Sequence, residues 1–102
     1  MKVIVDGAAG TVTAEDTDTL NELSVVMRSA DAELAGKVLE NYGRVDGTHA
    51  WLDIEALKTF APLPHSHTWD ARFAKAMAYA ASNGWTDETG RFVRAHLDER
   101  EA

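Results

Sequence analysis

"GWTDETGRFVRAHLDE", residues 84–99, decides how the second half of this chain is read. Thr86 or Asp87 offers a helix N-cap, since a short side-chain oxygen can accept the unpaired N–H groups of a first turn. Phe92, Val93, His96 and Leu97 follow at helical spacing. The stretch therefore reads as a final helix over about 87–99. The run before it, 68–83, is helical by the same rule. Trp69, Phe73, Ala76, Met77 and Ala80 fall on one face, with Thr68 as N-cap and Asp70 favourable in the first turn. Ala71, Ala74, Ala78 and Ala81 line another side and would let a second helix approach closely. Gly84 suits a left-handed stop, with Trp85 folding back on the last turn. Residues 68–99 are thus expected to form a helical hairpin, and the last four residues to fray.

Working back, Pro62 and Pro64 are the two prolines and mark the one seam. They divide a single domain, 1–102, into a mixed part (1–61), a Pro/His loop (62–67) and the helical part. "KVIV" (2–5) and "TVTA" (11–14) read as strands joined by "DGAAG" into a β-hairpin. Residues 20–28 fit two patterns: Leu20, Leu23 and Met27 a helix stripe, Leu23, Val25 and Met27 a strand face. A helix running to Arg28 would leave almost no loop before the next helix. A helical turn near 17–22 and a strand over 23–28 is therefore favoured, with one helix over 17–28 as the alternative. A helix over about 30–42 follows, capped by Ser29 or Asp31 and ended at Gly43. Asp46-Gly47 makes a turn, 49–52 a strand, and Asp53 caps a helix over 54–60 whose apolar side includes Trp51, Ile54, Leu57 and Phe60. The expected fold class is α+β: a small N-terminal β-hairpin or sheet, a C-terminal helical hairpin, and a helical majority.

Composition narrows function. Seventeen acidic residues face ten basic ones, for a formal charge of −7. Duplex binding draws on Lys and Arg neutralising phosphates, so nucleic acid is not an expected partner. A winged-helix-like DNA binder is the least favoured reading for the same reason. Anionic membrane surfaces are disfavoured alike. Arg72, Lys75, Arg91 and Arg94 could nonetheless form one local basic patch. There is no cysteine, which removes disulfides, thiolate catalysis and Cys-type zinc sites. No apolar run approaches the ~20 residues of a membrane span, and the apolar stretch in "MKVIVDGAAG" is too short for a signal peptide. The chain is read as mature and cytoplasmic.

Four histidines and three tryptophans carry what chemistry there is. His65 and His67, two apart in "PLPHSHTW", can point to one side of an extended segment and share a metal. Zinc would need a third ligand, for which His49, Asp53, Asp70 and His96 are candidates. The plainer reading is a polar lead-in to the helix. "DGTHAWLD" (46–53) gathers Asp46, His49, Trp51 and Asp53; in a strand His49 and Trp51 share a face, and a His beside carboxylates can act as acid or base. The plainer reading makes these a turn, a core residue and a cap. The Gly-x-x-Gly of residues 7–10 lacks the Lys and Ser/Thr of a phosphate loop and reads as a hairpin turn. No serine sits in a nucleophile-elbow context. Trp51, Trp69 and Trp85 belong to the core or its edge, and any left exposed would anchor a partner.

The runs "WDARFAKAMAYAASNGWTDETGRFVRAHLDE" and "DGTHAWLD" resemble small bacterial proteins of no assigned function, over about residues 44–99. That resemblance implies no activity, ligand or catalytic residue. The leading expectation is a small acidic, non-catalytic protein that binds a protein partner or self-associates into a homo-oligomer. The alternative is a metal-binding domain, with zinc, or a small hydrolytic enzyme built on His49, His65 and His67.

Overall fold

The computed structural model of the protein describes residues 1–20, 22–61 and 66–98. They form a six-stranded mixed sheet and three helices. The strands are β1 (Lys2–Asp6), β2 (Thr11–Glu15), β3 (Ser24–Arg28), β4 (Gly43–Asp46), β5 (His49–Asp53) and β6 (Phe92–Asp98). The helices are α1 (Ala32–Leu39), between β3 and β4, and α2 (Ile54–Lys58) and α3 (His67–Ser82), between β5 and β6. The sheet order is β2-β1-β3-β6-β5-β4. β1 pairs antiparallel with β2 and parallel with β3, β3 runs parallel to β6, and β4–β5–β6 is antiparallel.

Two expectations are corrected. The chain is not mostly helical: among the described residues strand accounts for 34% and helix for 31%. There is no C-terminal helical hairpin either, because the expected helix over 87–99 is β6. The physical reason lies in the segment itself. Val93, Ala95 and Leu97 point to the core while Arg94 and His96 stay exposed, a period of two. That alternation lets β6 fill the centre of the sheet, paired on both sides, a gain that one more exposed helix could not match. Asp87 does cap, but it caps a loop. Its Oδ1 accepts from the Thr89 hydroxyl (2.8 Å) and from the N–H groups of Arg91 (3.1 Å) and Phe92 (3.2 Å). Asx turns and helix N-caps use the same side-chain chemistry. Without a partner helix, Ala71, Ala74, Ala78 and Ala81 are exposed.

One face of the sheet carries the core. Val3, Val5, Val25, Met27, Leu52 and Val93 are almost fully buried. Leu39 of α1, Leu57 of α2 and Phe73 of α3 join them in one cluster. α1 starts at Asp31, whose side chain accepts the Leu34 N–H at 2.9 Å. α2 starts at Asp53, as its position implied. The cap of α3 is Ser66, two residues earlier than Thr68, accepting the Trp69 N–H at 3.0 Å. β4 has no counterpart among the expected strands. It pairs with β5 around a two-residue turn in which Gly47 has φ +62° and Thr48 does not share the positive φ. That is the pattern of a type II′ hairpin. The β1–β2 hairpin and the strand reading of the segment before Ser29 both match the structure. No helix among the described residues is long and apolar enough to cross a membrane.

Candidate functional site

The site follows from a mismatch in strand length. β3 meets β6 only from Ser24↔His96 onward. The first half of β6 therefore runs past the start of β3 and needs other partners on that edge. The residues leaving α3 supply them: Arg94 donates to the Trp85 carbonyl at 2.7 Å, Asp87 donates to the Phe92 carbonyl at 3.0 Å, and Thr86 bridges Val93. Gly84, at φ +74°, makes the reversal that brings Trp85 there, and the Trp85 N–H donates back to the Ala80 carbonyl at 2.9 Å. Where these residues stop and β3 has yet to begin, a groove of about 720 Å³ opens between α3, β6 and the segment leading into β3.

Its apolar lining comes from Leu20 and Leu23 before β3, Ala76, Met77 and Ala80 on α3, and Trp85. Tyr79 and Trp85 stand at its rim, 63% and 37% exposed, with their rings edge to face at 5.8 Å. Its charged lining is all of one sign. Arg72 and Lys75 enter from α3 and Arg94 from β6, and among the described residues no Asp or Glu contributes. Three members of the patch foreseen from sequence are therefore together. The fourth, Arg91, is turned away to Asp53, its Nε 3.1 Å from the carboxylate. Arg72 also donates to the Asp18 carbonyl, which ties α3 to the loop after β2.

The candidate residues are distributed as follows. His49 and His96 stand opposite each other on β5 and β6, rings edge to face with centroids 6.3 Å apart, and both line the groove. His49 Nδ1 also lies 3.1 Å from the Thr48 hydroxyl. His67 is the exposed first residue of α3, and His65 lies outside the described residues, as do Pro62 and Pro64. Among the described residues, no group of three or more His, Cys, Asp or Glu is placed to hold a metal ion.

Trp69 is buried, stacked on Phe73 at 5.1 Å, with its ring N–H donated to the Thr17 carbonyl at 3.0 Å. Trp51 shares the outer face of β5 with His49 and Asp53, so it is not the core residue the sequence implied. It is half-buried under the Arg44 guanidinium, 5.5 Å from the ring centre, and its ring N–H reaches Asp46 at 3.4 Å. Of the three tryptophans, Trp85 is the exposed one.

Asp53 has a structural occupation. One carboxylate oxygen accepts the N–H groups of Glu55 (2.9 Å) and Ala56 (3.2 Å), and the other takes Arg91. Loss of solvent pushes its carboxyl up. The Ala56 N–H, the bond and charge of Arg91, and the Glu55 N–H together outweigh that and hold it below its ordinary range. Such a carboxyl is a poor proton donor or acceptor near neutrality.

The groove residues missed by sequence reading, Leu20, Leu23, Met77 and Tyr79, carry no motif. Their signal exists only in three dimensions. Comparison with known protein families, with curated proteins and with solved structures finds no match.

Proposed function

We propose that this protein is a binding protein without catalytic chemistry, and that the groove between α3 and β6 is where its occupant sits. One observation carries the reading: a groove of about 720 Å³ with an apolar floor, rimmed by two exposed aromatic rings. Pockets of roughly 300–1,000 Å³ lined by apolar and aromatic groups are the usual form of ligand sites. His49 and His96 line the groove, but Asp53, the carboxylate that shares His49's face of β5, is engaged as a cap and ion-pair partner.

The test is an NMR titration of the whole protein with N-phenylnaphthylamine, a neutral apolar probe. The expected result is saturable shifts at Leu20, Leu23, Met77 and the Trp85 ring N–H, lost in Ala76→Trp, which fills the floor. Shifts that scatter over the surface without saturating overturn the proposal.

The rival metal reading draws support from the His49–His96 pair. Two imidazoles are two of the three or four ligands that zinc requires. The surrounding charge works against a cation, because Arg94 shares their face of β6 and Arg72 and Lys75 line the same groove.

A further inference from the structure

The groove inverts the charge of the chain. Ten basic residues stand against seventeen acidic ones overall, yet among the described residues the groove takes three basic ones and no acidic one. Lys75 and Arg94 have no ion-pair partner among the described residues. Arg72 and Lys75 lie three apart on α3, hence on the same side of the helix. Arg94 projects from β6 on the other wall. On a molecule whose net charge repels anions, a cationic pocket with apolar walls focuses the local field on an incoming negative group.

From this we infer that the occupant is a small amphipathic organic anion: an apolar aliphatic or aromatic body with one carboxylate-type head. The inference rests on the groove being the binding site. The head sits among Lys75, Arg94 and Arg72, where the Arg fork can take two carboxylate oxygens at once. His49 and His96 also line the groove, and an imidazole N–H can donate to such a head. The body lies toward Leu20, Leu23, Met77 and Trp85. The volume fixes the size class. About 720 Å³ lies within the usual range of small-molecule sites.

A matched pair of probes separates charge from apolar fit. Anilinonaphthalene sulfonate is N-phenylnaphthylamine with one sulfonate added. Both are titrated by fluorescence into the wild-type protein and into the double variant Lys75→Gln/Arg94→Gln. Arg72 is left in place because it also holds the Asp18 carbonyl. The expected result is a loss of anilinonaphthalene sulfonate affinity of roughly fivefold, the factor for removing two partly screened ion pairs, with N-phenylnaphthylamine unchanged. Raising the salt concentration should weaken the anionic probe alone. Equal binding of the anionic probe by the two proteins, or equal losses for both probes, overturns the anion assignment while the groove reading stands. Failure of the wild-type protein to bind either probe overturns both.

Discussion

Replacing Asp53 separates two tasks that one carboxylate performs. Its Oδ1 accepts the Glu55 and Ala56 N–H groups at 2.9 and 3.2 Å, and its Oδ2 accepts Arg91 Nε at 3.1 Å. Losing an N-cap costs about 1 kcal/mol, within a range of about 0.5–2. The Arg91 side chain is 69% exposed, so the ion pair adds only about 0.2–1 kcal/mol. Asp53→Ala is therefore expected to cost about 1–2.5 kcal/mol in total. Asp53→Asn keeps a capping oxygen and should lose less than about 1 kcal/mol. In a domain of this size each kcal/mol moves Tm by about 4–8 °C.

The assay is urea unfolding at pH 7 of the wild type, both Asp53 variants, Arg91→Ala, and Asp53→Ala/Arg91→Ala, so that the cycle isolates the pair. The pH dependence supplies an independent check. A carboxyl held below its unfolded value stabilises above that value, and the benefit disappears as pH falls through the folded one. The gap between wild type and Asp53→Asn should be constant near neutrality and close below about pH 4, the ordinary carboxylate range. If Asp53→Asn falls as far as Asp53→Ala, the charge rather than the cap holds this corner. If Asp53→Ala is as stable as wild type, the structural role assigned to Asp53 is wrong and its place beside His49 on β5 becomes open to a chemical one.

Two glycines should respond in opposite senses. A Cβ on Gly43 would lie 1.9 Å from the Trp51 carbonyl oxygen, so Gly43→Ala forces β4 off β5 and should cost about 2–3 kcal/mol or more in chemical unfolding. At Gly36, inside α1, a methyl would meet nothing within 4 Å beyond its own helix backbone and chain neighbours, and φ is not positive. Gly36→Ala should therefore stabilise by about 0.5–1 kcal/mol. Zinc added to untagged protein at one equivalent should shift the His49 and His96 ring signals weakly and independently of His65 and His67. Joint, saturating shifts of three rings would move the function to metal chemistry.

What the sequence revealed and what it concealed divide along a physical line. Signals set by a residue and its near neighbours were legible: the Gly7–Gly10 turn, the Asp31 and Asp53 caps, the Gly84 stop, and the alternating face of β3. Tertiary context decided the rest. "RFVRAHLD" supports helix spacing through Phe92, Val93, His96 and Leu97 and strand alternation through Val93, Ala95 and Leu97. A central strand gains two sets of backbone partners that local propensity cannot anticipate. Gly90, at φ +72°, was the local clue against a helix starting at Asp87. β4 is short and polar, and its reason to be a strand is the neighbouring β5, against which Gly43 packs without a side chain.

The groove is a consequence of that same central strand. Were 87–99 a helix, Arg94 and His96 would have lain on a helix surface packed beside α3, and His49 would have had no partner across a ladder. Because the segment is a strand, its exposed side presents Arg94 and His96 at two-residue spacing, next to His49 of β5. Because β3 starts late, the other edge of β6 is left for Trp85 and Thr86, and the gap beyond them collects Leu20, Leu23 and the cationic turn of α3. The basic patch could be suspected from composition, since few cations in an acidic chain must still go somewhere. Its apolar floor could not, because Leu20, Met77 and Val93 belong to three separate segments that only the mixed sheet brings to one place. The binding proposal therefore depends on the topology of β6 as much as on any side chain. A variant that shortens β6 at its first half should lose the groove before it loses the core.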